Sequence, residues 1–168
     1  MNPVVKKSLI FGSIAGVLCF LFFLAMYSMQ PNPLALRRPD LGINIIMIGA
    51  AIWYFKRDRG GYLHFYEGFS VGFLTNIIAA LFTGVLIFLF LQYVDGVPFQ
   101  EWMAAGKQLL VEDRERSKDL MNEETYQQLL RSFDEKTPAV IIGDELIFKQ
   151  LAVIACTLFS MAMRKIKS

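Results

Sequence analysis

The sequence is poor in the residues that carry most protein chemistry. It has one histidine and two cysteines in 168 residues, and 19% of its residues are charged, against about 25% in an ordinary soluble domain. The single histidine, His64, has only Glu67 close by as a second ligand, so no metal site is expected. No Ser/His/Asp set, no phosphate-cradling glycine loop and no pair of carboxylates in a cleft is visible. Catalytic residues and cofactors are therefore not expected, and an enzyme ranks last among the readings. A net charge of +2 is too small for a polyanionic partner, which excludes nucleic acid. Cys19 and Cys156 fall near the middle of apolar stretches, away from any oxidising aqueous compartment, so both are expected as free thiols.

What the sequence has instead is apolar surface. Hydrophobic residues make up 55% of the chain, and the mean hydropathy is +0.43. A water-soluble globule of this length buries too little of its surface to hide so much. The charges are also unevenly placed. Asp95 to Lys136 holds 10 of the 15 acids and 6 of the 17 bases. By contrast, Ser8–Leu36 and Gly68–Val94 carry no charge at all. Each of these exceeds the roughly 20 residues that cross about 30 Å of hydrocarbon. Leu41–Phe55 and Gln150–Met163 are shorter uncharged runs, extended by Lys56, Arg57 and Lys149 as snorkelling flanks.

The expected fold is an all-α membrane protein with four transmembrane helices, at about 8–30, 40–57, 68–94 and 138–165. Thr137-Pro138 reads as the N-cap and first position of the fourth. With four crossings, Lys6, Lys7, Lys56, Arg57, Arg59, Arg164, Lys165 and Lys167 share one side, which the positive-inside rule makes cytoplasmic. Both termini are then cytoplasmic in a bacterial inner membrane, and loop 95–136 is periplasmic. Tyr27, Tyr93 and Trp102 mark the outer boundary, and Trp53, Tyr54, Tyr62 and Tyr66 the inner one. The first apolar stretch is too long for a signal peptide and lacks a cleavage site, so it reads as a retained helix.

The long outer loop has its own periodicity. Trp102, Met103, Leu109 and Leu110 recur at helical spacing after Phe99, and Tyr126, Leu129, Leu130 and Phe133 recur at i, i+3, i+4, i+7. This predicts a hairpin between helices three and four, with helices at about 99–119 and 123–135. The stripes pack on each other and the membrane surface, or form a docking face for a partner.

Gly12-x-x-x-Gly16 and Gly68-x-x-x-Gly72 permit close helix approach, and Asn76, Ala80 and Gly84 continue the second row. Packing within the bundle is the first reading, homodimerisation the second. Asn44, Thr75, Asn76, Thr83, Gln92, Thr157 and Ser160 are the polar groups in the spans. Asp144, Glu145 and Lys149 lie toward the outer end of the fourth, with Glu145 and Lys149 spaced as a helix pair.

The most distinctive stretch is Gly60-Gly61-Tyr62-Leu63-His64-Phe65-Tyr66-Glu67-Gly68-Phe69-Ser70-Val71-Gly72-Phe73. Its Tyr62, Phe65, Tyr66 and Phe69 recur at i, i+3, i+4, i+7, as an interfacial helix or the flared start of the third span. The stretch resembles the signature of a bacterial inner-membrane family, the domain of unknown function 4199. His64 replaces a serine of that pattern, Tyr66 a small residue and Ser70 a lysine. The resemblance implies four-helix topology, brings no catalytic residue, and hints at membrane glycosyltransferases that use lipid-linked sugars.

These features lead to a non-catalytic assembly or accessory subunit of a membrane complex. Its partners would be membrane lipids and a second copy or another membrane protein. One alternative is a small oligomeric transporter or channel, which needs a polar pathway built on Asn44, Thr75 and Asn76. The other is an accessory to a lipid-linked glycosyltransferase, with Lys56–Arg59 and Tyr62 meeting an anionic headgroup.

Overall fold

The computed structural model describes residues 2–29, 32–35, 40–112 and 122–165. Those residues are helical almost throughout, and no strand occurs among them beyond an isolated antiparallel bridge between Leu63 and Lys165. The helices are α1 (Pro3–Met29), α2 (Asp40–Asp58), α3 (Phe65–Tyr93), α4 (Val97–Glu112), α5 (Glu123–Glu135), α6 (Val140–Lys149) and α7 (Ala152–Met163). The outer hairpin is α4 and α5; positions 113–119, expected in its first helix, lie outside the described residues.

Three elements are long and apolar enough to cross a membrane: α1, α3, and α6 with α7 as one 24-residue unit, Val140–Met163. At 1.5 Å per residue they reach about 41, 44 and 36 Å. Leucine, isoleucine, valine and phenylalanine side chains of α1, α3 and α7 are exposed around the bundle, among them Ile10, Leu21, Phe82, Leu89, Ile154 and Leu158. An apolar girdle on that scale suits lipid. The expected second span falls short. Between Asp40 and Lys56, α2 has 15 uncharged residues, about 22 Å of helix.

Both ends of the chain lie at one end of the bundle. Lys7 pairs with Asp58 at 2.6 Å, and Leu63 exchanges both backbone hydrogen bonds with Lys165, at 2.8 and 3.0 Å. The hairpin lies at the opposite end, where the Tyr27 hydroxyl donates to Asp95 at 2.6 Å.

α1 packs chiefly on α3, and glycine sets the approach. A Cβ added at Gly12 would sit 2.7 Å from Ile78 Cβ, and one at Gly16 only 2.4 Å from Phe82 Cβ. The other glycine row faces α6 and α7. Gly68 meets Ser160, Gly72 meets Cys156, and Gly84 meets the Ile142 backbone; Asn76 and Ala80 of the same row are fully buried. Both glycine pairs thus find their neighbours inside the chain. This is the close van der Waals contact that must hold helices together where lipid competes for every apolar surface.

The Gly-Gly-Tyr stretch is a turn and a helix start. Gly60 and Gly61 take φ of 69° and 89°, a left-handed conformation that ends α2 and that side chains disfavour. Leu63 is then fully buried in the core. α3 begins at Phe65, three residues before the expected span, so Phe65, Glu67 and Phe69 belong to its first turns. Glu67 accepts from the His64 backbone N–H at 3.1 Å and from Arg59 at 2.7 Å. It caps the helix and ties it to the end of α2. His64 stacks on Tyr66, and Tyr62 lies under the Lys165 ammonium at 6.0 Å.

In the hairpin, Tyr126 is buried, and Trp102 and Met103 pack against the core at this end of the bundle. Phe133 lies over Gly106. Leu110, Leu129 and Leu130 are half-buried, which leaves Leu109, 65% exposed, as the outward member of the set. Lys107 and Asp134 clamp the two helices at 2.7 Å.

Candidate functional site

The interior is divided along α3. Val71 belongs to one apolar core, with Ile48, Ile52, Phe55, Leu63, Ala152 and Cys156. Ile87 and Leu91 belong to another, with Phe23, Leu34, Phe99 and Ile141. Between them α3 presents Thr75, Asn76 and Thr83, all fully buried. The other helices contribute polar groups to the same layer: Asp40 and Asn44 from α2, Glu145 and Lys149 from α6. A polar layer therefore crosses the middle of the bundle.

Lys149 is its centre. The side chain is 0% exposed, Glu145 is 1% and Asp40 is 3%. Its ammonium donates to Glu145 Oε2 at 2.7 Å and to Thr83 Oγ1 at 3.1 Å, and lies 3.1 Å from Asp40 Oδ2. The ammonium is thus hydrogen-bonded to two helices and ion-paired with a third. The Thr83 hydroxyl donates to the Ala79 carbonyl at 2.8 Å, with the Gly16 carbonyl at 3.4 Å. Cys19 Sγ donates to the Asp40 carbonyl at 3.6 Å, so α1 closes the layer. Among the described residues no three His, Cys, Asp or Glu side chains are grouped as a metal would need.

Two irregularities in the backbone make this arrangement available. The first is in the unit of α6 and α7. After Lys149 the hydrogen bonds tighten to an i,i+3 pattern: the Val153 N–H turns to the Gln150 carbonyl at 2.9 Å. The Lys149 carbonyl, released from its helical partner, accepts instead from Asn76 Nδ2 at 2.9 Å. A broken helix is tolerated at membrane depth when a side chain takes up the freed group. The second is the start of α2. Asp40 touches Cys19, ten residues short of the end of α1, so α2 begins about 15 Å inside the bundle. Leu34, just ahead of it, is buried in the apolar core toward the hairpin. A carboxylate at Asp40 suits the positive end of the helix dipole.

Asn44, one turn after Asp40, donates from Nδ2 to Asn76 Oδ1. Its own Oδ1, and Thr75 Oγ1 beside Asn76, are buried without a hydrogen-bond partner. Unspent buried polar atoms are costly and infrequent. Asn44, Thr75 and Asn76, the pathway residues expected from the sequence, thus share one layer with the ion set of Asp40, Glu145 and Lys149. Glu145 and Lys149 lie in the first half of the Val140–Met163 unit, buried rather than snorkelling, and Asp40, at the start of α2, is buried with them. The signal was present: apolar Val140–Ile142 and Leu146–Phe148 precede Lys149, and 14 uncharged residues follow it, so the charges interrupt a hydrophobic helix in its first half.

The expected interfacial residues Gly60, Gly61, Tyr62, His64, Phe65, Glu67 and Phe69 gather at the opposite end from the hairpin face, and neither group joins the central layer. At the hairpin end, Asp95 is held below the usual carboxylate range, first by the Tyr27 hydroxyl and then by the Val97 backbone N–H. A lowered carboxylate stabilises the fold above its unfolded value, about 3.9, and loses that contribution as pH falls through the folded value. The gap in melting temperature between the native chain and Tyr27→Phe should therefore be constant from pH 7 to 5 and close below about pH 4. A gap unchanged down to pH 3 would refute the assignment.

The sequence matches, over residues 10–165, a family described as protein of unknown function, DUF4199, and the chain belongs to that family. No curated protein and no solved structure matches it.

Proposed function

We propose that this DUF4199 member is a multi-pass integral membrane protein that translocates protons, as a small transporter of four membrane segments. The observation that carries the reading is Lys149, fully buried at mid-bundle between Asp40 and Glu145. An assembly subunit has no need of ions in its core. Replacing buried ion pairs with apolar groups is often neutral or stabilising, so stability does not account for them. Ionisable groups inside spans instead mark proton and ion paths. Broken helices that meet at the midplane are the usual setting of such sites.

The steps assigned to this chain are local. A proton delivered to Glu145 breaks its 2.7 Å pair with Lys149, leaving the ammonium on Asp40 and Thr83. The tight turn at Gln150–Leu151 is the hinge at which α6 moves against α7. The unspent acceptors of Asn44 and Thr75 receive water or hydronium when it does. α2, extended by the snorkelling Lys56 and Arg57, serves as the fourth crossing, which keeps the two chain ends on one side, taken as cytoplasmic from its basic residues.

Protein reconstituted in vesicles holding a pH-sensitive dye should dissipate an imposed proton gradient. Lys149→Met and Glu145→Gln, inserted in equal amounts, should each slow this at least about tenfold, the loss of one positioned proton-transfer group costing about 10²–10⁴-fold in general acid–base steps. Wild-type vesicles no leakier than empty ones, with the gradient in either direction, would end the proposal. The assembly-subunit reading would return if native membranes yielded a stoichiometric partner held at the hairpin, where Leu109 is exposed. Reduced lipid-linked glycans in a deletion strain would favour the glycosyltransferase accessory.

A further inference from the structure

The cations at the end of the bundle that holds the chain termini are not all treated alike. Lys7 is paired with Asp58 and Arg59 with Glu67. Lys56 and Arg57, between them in sequence, form no ion pair with any described residue. They line one cavity of about 360 Å³ together with Trp53, Gly60 and Gly61. Two adjacent cations with no carboxylate between them repel each other, and an anion in the cavity would relieve the repulsion.

The surroundings indicate which anion. Ile46, Ala50, Trp53 and Arg57 follow one another at i, i+4, i+7, i+11 on a single face of α2. Ile46 is 70% exposed and Trp53 49%, so an apolar lane runs along the helix and ends at the two cations. Trp53 has the amphipathic ring that sits at headgroup level. Gly60 and Gly61 line the remaining wall, and a Cβ built at either meets nothing within 4 Å, so there is room against the turn. The end of a helix repels anions through its carbonyls. Here two are covered, Arg57 by the Gly60 N–H at 3.1 Å and Lys56 by the Gly61 N–H at 3.0 Å.

We infer that this cavity binds the phosphate of an anionic phospholipid, with its acyl chain lying along Ile46 and Trp53. The Arg57 fork grips two phosphate oxygens while Lys56 acts as a point charge. The inference needs the chain to sit in a bilayer and is independent of proton translocation: it survives if vesicles show no flux.

The test uses the full chain in nanodiscs and in detergent. Phosphatidylglycerol should raise the unfolding temperature above that in phosphatidylcholine, and native mass spectrometry should find phosphatidylglycerol retained on the purified protein. Lys56→Gln with Arg57→Gln should keep the phosphatidylcholine midpoint and weaken phosphatidylglycerol binding by about tenfold or more, as loss of charge-assisted hydrogen bonds requires. Lys136→Gln, at the other end, should leave that binding unchanged. Equal stabilisation by both lipids, or by phosphatidylglycerol in the double variant, would overturn the inference. So would the full effect from inorganic phosphate in detergent, which would make the site one for free phosphate. Should the double variant fail to fold, absence of retained phosphatidylglycerol on the native chain would overturn it alone.

Discussion

Replacing Lys149 with methionine is expected to destabilise the fold by about 3–5 kcal/mol, the range found when one member of a buried ion set is removed. The side chain is completely enclosed, and its ammonium satisfies Glu145, Asp40 and Thr83 at once. Methionine fills much the same volume, so the loss is not a cavity. What it leaves is two carboxylates in the middle of the bundle with their shared cation gone, and a Thr83 oxygen without its donor. The expected effect has a second half of opposite sign. Adding Glu145→Leu and Asp40→Asn to Lys149→Met removes the stranded charges as well, and should recover most of the stability while abolishing proton movement. The Asn76 bond to the Lys149 carbonyl is a backbone contact and survives all three changes. Unfolding by denaturing detergent, followed for the single and triple variants, reads both halves. A single variant within about 1 kcal/mol of the native chain would show that the set contributes no more than an exposed pair. A triple variant worse than the single one would show the carboxylates to be satisfied elsewhere.

Much of the plan was legible because it follows from one-dimensional signals. The uncharged runs located α1 and α3, the i, i+3, i+4, i+7 stripes located α4 and α5, and the glycine spacing located the close contacts. The division of basic residues put both chain ends together, as the Lys7–Asp58 pair and the Leu63–Lys165 bridge do in the structure. The central layer was not legible, for two physical reasons. A charge near the end of an apolar run reads as a snorkelling flank, and only the packing shows that Lys149 has neighbours in every direction and cannot reach water. The start of α2 also reads as a helix end at the surface. Nothing in the residues around Asp40 states that the helix starts about 15 Å inside the bundle. That is a tertiary fact, set by Leu34 in the core and Asp40 against Cys19. Leu63 in the Gly-Gly-Tyr stretch is illegible for a similar reason: the helical spacing belongs to the aromatic residues Tyr62 and Phe65, while the buried anchor is the aliphatic residue between them.

The charge layer depends on helix spacing, which makes Gly16 the other sensitive position. A Cβ there would lie 2.4 Å from Phe82 Cβ and 3.2 Å from the Ala79 carbonyl. Neither neighbour is the far end of a flexible side chain, so α1 and α3 must separate. Gly16→Leu is therefore expected to cost at least about 1–3 kcal/mol, the usual range for overpacking. The separation has a chemical consequence beyond the clash. The Gly16 carbonyl lies 3.4 Å from the Thr83 hydroxyl, and Cys19, nearly one turn on, holds the Asp40 carbonyl. Displacing α1 opens both contacts, so proton translocation should fall along with stability. Gly143→Leu is the control. A Cβ at Gly143 meets nothing within 4 Å, so leucine there adds no clash. It removes the helix penalty of glycine instead, a gain of up to about 1 kcal/mol. Opposite signs for two glycine-to-leucine changes, read in one detergent titration, follow from close packing between α1 and α3. If both variants lost stability equally, helix propensity or insertion would govern the response, and the tight approach of α1 to α3 would not be what holds the bundle.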